Sequence, residues 1–177
     1  MIKTFIDKKL AGKLKAADYV KQSLLASGFL LVYLITWHQF IPIFNQILFS
    51  AVASSTFLTF LSTNIYQNLS SKIFGGQVIG VLVGVVLWQS QATTFEMLPN
   101  FKEEVFMVFL AISVGLSLFI MALLNFEHPP AAGTAMAFVF QTNQPQISEC
   151  LFVIIAAFLL GVSHFFLNKY HLLKDLN

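Results

Sequence analysis

The chain contains no arginine; all ten basic residues are lysine. Any anion site must therefore work without a guanidinium fork, using amides, hydroxyls, lysine or histidine. Charge is scarce altogether, at 10% of residues against roughly 25% in a soluble domain. There is one cysteine, Cys150, which excludes an intramolecular disulfide. The sequence also has no phosphate loop, no nucleophile elbow and no paired-carboxylate constellation, so nothing in it argues for an enzyme. Among the histidines, His38, His164 and His171 show no metal-ligand spacing, and neither a metal nor a cofactor is expected.

What is abundant is apolar surface. Hydrophobic residues make up 57% of the chain, and phenylalanine alone accounts for twenty. Mean hydropathy is +0.78. This composition predicts an all-α integral membrane bundle with the lipid bilayer as its solvent. Six lysines, Lys3, Lys8, Lys9, Lys13, Lys15 and Lys21, precede the first apolar run. They read as a topology signal and lipid-headgroup contact rather than a nucleic-acid surface. Apolar residues Ile2, Phe5, Ile6, Leu10, Leu14 and Ala17 recur at helical spacing among them, so residues 1–21 are expected to hold an amphipathic interfacial helix. No signal peptide is visible. The expected location is a plasma (inner) membrane with the N-terminus cytoplasmic.

Four stretches, 22–40, 73–91, 103–124 and 149–168, are long enough to cross roughly 30 Å of hydrocarbon. Two more, 43–61 and 130–140, are short or interrupted by polar residues. Their order is long, short, long, and then the same again. That order suggests a 3+3 inverted repeat, with residues 22–91 as the first membrane half, 102–168 as the second and 169–177 as a tail. The short segments correspond in detail: Ala53-Ser54-Ser55-Thr56 leads to Thr63-Asn64, as Ala132-Gly133-Thr134-Ala135 leads to Thr142-Asn143. If both short segments cross, Lys72, Lys169 and Lys174 share a side with the N-terminal lysines; if they are re-entrant, Lys72 falls on the opposite side. Trp37 and Trp88 are expected near span ends.

One stretch stands out for function: His128-Pro129-Pro130-Ala131-Ala132-Gly133-Thr134. Proline surrenders its amide and fixes φ, so a helix arriving here is expected to stop by about His128, and a new one to open on the prolines. A break inside lipid persists only where protein or a cavity satisfies the backbone. An ionisable residue at such a break is a functional candidate. The expected substrate-binding set is His128, Ala131, Ala132, Gly133 and Thr134, with Ser54, Ser55 and Thr56 as the counterpart from the first half. Pro129 and Pro130 make the break. Helix N-terminal amides near Ala131 are expected to attract an anion. Gly76, Gly80 and Gly84 clear a groove for a neighbouring helix, within the chain or from a second subunit, as do Ala157 and Gly161. Glu127 reads as a loop carboxylate.

The His128-Pro129-Pro130-Ala131 run resembles the signature of the HPP family of small membrane proteins. The Ala/Ser/Thr-rich stretch 51–60 and the Gly75-Gly76 pair add to the resemblance, which covers residues 22–168. It implies a protein with four spans and no known enzyme activity; some members are implicated in nitrite transport in cyanobacteria and plastids. Some relatives carry a soluble CBS-type module after the membrane part, and this chain is expected to lack one. The chain departs from the family pattern in two places. Asn64–Lys72 has no proline, and Gln77 stands where histidine often follows the glycine pair. The function expected is a transporter or channel for a small monovalent anion such as nitrite, coupled to protons. The alternative is a non-transporting subunit or scaffold that packs with a partner through the glycine-spaced helix. A chain of this size is expected to form a homo-oligomer.

Overall fold

A computed structural model describes residues 16–37, 46–61 and 69–170. The expected interfacial helix over residues 2–19 lies largely outside them, as do His38, His171, Thr63 and Asn64. Among the described residues there are helices and no strands. They are α1 (Ala16–Trp37), α2 (Gln46–Leu61), α3 (Leu69–Met97), α4 (Lys102–Leu123), α5 (Pro129–Phe140) and α6 (Ile147–Lys169). A 3-10 turn, Pro99–Phe101, joins α3 to α4. Four of the helices are long and apolar enough to cross a membrane, and α2 and α5 are the short ones. The long-short-long order of both halves is therefore present.

Several boundaries differ from expectation, among them the start of α3, which lies at Leu69, four residues ahead of 73. Helix α1 starts at Ala16, so residues 16–21 continue into the first span. Helix α3 runs six residues beyond 91, to Met97. Its polar end stays helical because nothing breaks it before Pro99, and the Ser90, Thr93 and Thr94 hydroxyls are satisfied by carbonyls one turn earlier. Trp88 thus lies inside α3, while Trp37 ends α1.

Helix α3 is the axis of the bundle. Near its start, Leu69 and Ile73 cluster with Ala26 of α1, Phe60 of α2 and Leu160 of α6. Farther along, Val81 clusters with Tyr33 of α1, Leu48 and Val52 of α2, Phe138 of α5 and Phe152 of α6. Residue numbers rise along the axis in α1 and fall in α2 and α6. Helix α4 also runs against α3, since Met121 approaches Gly76 near the axis start, while Phe106 meets Phe140 at the other end. Helix α5 runs with α3, from His128 beside Gly76 to Gln141, whose carbonyl accepts a hydrogen bond from Trp88 Nε1 at 3.0 Å. Successive helices therefore alternate in direction, and the short ones traverse the bundle rather than turning back. Three elements per half, alternating throughout, make the halves inverted with respect to each other. The packing partners of the short helices follow that relation, and the two short helices also pack on each other. Helix α5 packs on α4 of its own half and α3 of the other; α2 packs on α1 of its own half and α6 of the other.

Exposed faces are apolar where lipid belongs. Leu31, Val32 and Ile35 on α1, with Met107, Ile112 and Phe119 on α4, point outward. The face of α4 toward the bundle carries Ser113 and Ser117, whose small side chains are buried.

Candidate functional site

The break expected before the prolines exists, but proline does not end the incoming helix. Asn125 does so, five residues after Ile120 and well ahead of Pro129. It adopts φ 58°, the left-handed conformation that asparagine tolerates better than most residues. The Phe126 amide donates to Met121 O at 2.8 Å, and the Asn125 amide to Ala122 O at 3.3 Å. This is a Schellman cap, with Phe126 folded onto the apolar cluster that holds Met121. The chain then extends to His128 (φ −140°, ψ 90°), and Pro129 and Pro130 open α5 as its first two residues.

The turn is held against α3 at two points. A Cβ on Gly76 would sit 2.5 Å from His128 Cβ, and one on Gly75 would meet the Phe126 ring at the same distance. Glycine is needed here for close approach, not for backbone conformation. Farther along, a Cβ on Gly80 would overlap the Ala131 carbonyl oxygen, and one on Gly84 would lie 2.9 Å from the Ala135 carbonyl oxygen. The glycine groove is thus filled by α5 of the same chain. Gly161 serves a looser contact, its added Cβ lying 3.3 Å from the Ser70 carbonyl oxygen, and Ala157 is buried against α2 and α3. At the surface end of the turn, Lys72 Nζ donates to Glu127 Oε2 at 2.6 Å. That hydrogen bond holds the Glu127 carboxyl below the usual glutamate range.

Behind the turn lies a buried polar cluster drawn from both halves. Thr134 Oγ1 donates to Gln77 Oε1 at 2.6 Å. Gln77 Nε2 donates to Ser55 Oγ at 2.9 Å, and His128 Nε2 lies 2.8 Å from the same oxygen. All four side chains belong to residues at most 1% exposed. Gln77 stands eight residues beyond the start of α3, about 12 Å along the axis. The cluster therefore sits within the depth of the bundle.

Counting hydrogens favours one arrangement of the neutral imidazole. Ser55 has one hydroxyl hydrogen and also contacts the Ala51 carbonyl at 3.0 Å. With that hydrogen on Ala51 O, Ser55 Oγ accepts from both Gln77 and His128, and three bonds form around it. With the hydrogen on His128 instead, only two form. The fuller arrangement puts the imidazole proton on Nε2. Nδ1 is then a bare acceptor, and it has no hydrogen-bond partner. A buried polar atom in that state is expensive to leave unmet.

The structure brings His128, Ser55 and Thr134 together through Gln77. Sequence reasoning noted Gln77 only as a departure from the family pattern. Its signal was available: an amide side chain between Gly76 and Gly80 in an apolar span needs buried partners. Other expected site residues lie elsewhere. The Ser54 hydroxyl is exposed and bonds back to Ser50 O; Thr56 is buried and bonds back to Val52 O. Gly133 faces Ala51, with a hypothetical Cβ 3.9 Å away. Ala131 lies under Gly80 as a packing residue, and Ala132 is buried beside it. The cradle of amides expected at this helix start is not on offer. The two prolines have none, and the Ala131 amide donates to His128 O at 2.9 Å.

Residues 16–172 match the family model described as HPP, transmembrane region. The chain belongs to the HPP transmembrane family. No curated protein and no solved structure matches it. In this HPP protein the His-Pro-Pro run does two jobs. The prolines start a short helix without leaving free amides in the bundle, and the histidine completes a hydrogen-bonded cluster on α2, α3 and α5.

Proposed function

We propose that this protein transports a small monovalent anion, nitrite, together with a proton. The observation that carries the reading is His128 Nδ1, a ring nitrogen without a hydrogen-bond partner, buried where helices of both halves converge; in the neutral arrangement favoured above it presents a lone pair. A lone pair facing an anion repels it. A lone pair facing the protonated anion accepts its hydrogen. The site therefore suits a weak acid, or an anion arriving with the proton that His128 holds for it. A neutral pair also avoids the several kcal/mol cost of burying a lone ion, in a chain that has no arginine to offset it. Two inverted halves meeting at one site is the architecture of alternating access.

Lysine placement supports a cytoplasmic N-terminus in a plasma (inner) membrane. Lys21, Lys72 and Lys169 lie at one end of the alternating bundle and Lys102 at the other, and the positive-inside rule favours the end with more lysines as the cytoplasmic one. The scaffold alternative loses its docking surface, because α5 already fills the glycine groove.

The test is nitrite uptake by purified protein in proteoliposomes, with a pH gradient imposed in each direction. Uptake is expected to follow the acid side. His128→Gln and Ser55→Ala are expected to reduce it by about tenfold or more, the loss of one buried hydrogen-bonding partner. Ser54→Ala, at a hydroxyl outside the cluster, is expected to leave it unchanged. Uptake by His128→Gln equal to that of the unaltered protein would overturn the reading.

A further inference from the structure

A second histidine in the bundle also has a ring nitrogen without a hydrogen-bond partner. His164 on α6 is 8% exposed, and its Nδ1 lies 3.1 Å from Ser70 Oγ on α3. Ser70 Oγ also contacts the Gly161 carbonyl at 3.0 Å. With the serine hydrogen on Gly161 O, the hydroxyl oxygen accepts from His164 Nδ1–H, and two bonds form instead of one. Nε2 is left as a bare, buried acceptor without a partner. At both histidines, one ring nitrogen donates to a serine oxygen that is itself tied to a backbone carbonyl, and the other presents a lone pair.

The two places are also aligned. Ser70 and Gln77 are seven residues apart on α3, so they share one face, two turns and about 10 Å from each other. Ser70 lies toward the Lys72 end. Leu69, Ile73 and Leu160 are fully buried in the same part of the bundle.

We infer that Ser70 and His164 form a second station for the same cargo, a small weak acid in its hydrogen-donating form, on the lysine-bearing side of the His128 cluster. The inference rests on the proposed transport reading. A solute leaving His128 toward that side meets the same chemistry again, an accepting imidazole nitrogen held in place by a serine. Two equivalent stops lower the barrier between them, as a single deep site would not.

The test uses full-length protein in lipid nanodiscs with isotope-labelled imidazole nitrogens, assigned through His128→Gln and His164→Gln. Sodium nitrite, at mildly acidic pH, is expected to shift the ring signals of both His128 and His164. Sodium chloride at equal ionic strength is expected to shift neither. Ser70→Ala is expected to weaken the nitrite response of His164 about tenfold while leaving that of His128 in place. His164→Gln is expected to slow net uptake in proteoliposomes and to keep nitrite binding at His128, which a folding defect would not. A His128 signal that responds, with uptake intact and a silent His164, overturns the second station and leaves the transport reading standing. Silence at both histidines with no uptake overturns both. A response to chloride equal to that to nitrite overturns the second station as a site for a protonated acid.

Discussion

Replacing Gly80 with alanine adds one methyl group, and the structure specifies what it meets. The new Cβ would overlap the Ala131 carbonyl oxygen and lie 3.1 Å from the carbonyl carbon. That carbonyl is part of α5 and cannot rotate aside, so α3 and α5 must part by about an ångström to restore ordinary contact. Overpacking of this kind costs about 1–3 kcal/mol. Alanine recovers up to about 1 kcal/mol through its helix propensity. The net expectation is a loss of about 1–2 kcal/mol. The same substitution at Gly115 or Gly28 meets nothing within 4 Å, so only the propensity gain applies. Identical chemistry is thus expected to have opposite signs on two helices. The assay is thermal unfolding in detergent, followed by dye labelling of Cys150, the single cysteine. Gly80→Ala as stable as Gly115→Ala would refute the claim that α5 closes the groove.

Two further outcomes follow from the site. Gln77→Leu removes a side chain bonded to both Ser55 and Thr134, and is expected to lower stability by about 1–3 kcal/mol in the same unfolding assay. The Glu127 carboxyl, lowered by the Lys72 hydrogen bond, contributes stability that is fully present above the ordinary glutamate range and is lost as pH falls through the lowered value. Melting temperature measured against pH is expected to show that acid-side loss in the unaltered protein and less of it in Glu127→Gln.

Much of this architecture was legible in the chain because membrane helices announce themselves by length. The short segments read as 43–61 and 130–140 correspond to α2 and α5 nearly residue for residue. The end of α3 was misread because hydropathy falls after Leu87, whereas helix geometry persists until a proline forbids it. The cause of the break was also misplaced. Two prolines are conspicuous, but the left-handed residue that stops α4 is Asn125, an ordinary residue in composition terms. At the site, residue type pointed to His128, Ser55 and Thr134, which the structure joins in one hydrogen-bonded cluster. It could not tell Ser55 from its neighbour Ser54, because 100° of helix rotation separates a hydroxyl in the core from one at the surface. Gln77 escaped because its role depends on a partner from each half, and no local pattern encodes that.

The exchange of short helices between halves bears on how the chain is made. Helix α2 leaves the ribosome long before α5 and α6, the partners that will cover its inner side. Until they arrive, that side waits in lipid with Ser55, Thr56 and Thr59 on it. Each of these hydroxyls bonds to a carbonyl one turn back on its own helix, at 3.0, 2.9 and 2.8 Å. The three hydroxyls on that side are thus met within the helix itself before any partner arrives. Assembly then finishes when the twelve residues of α5 slide into the channel between α2 and α3, and the serine that satisfied itself acquires a histidine and a glutamine.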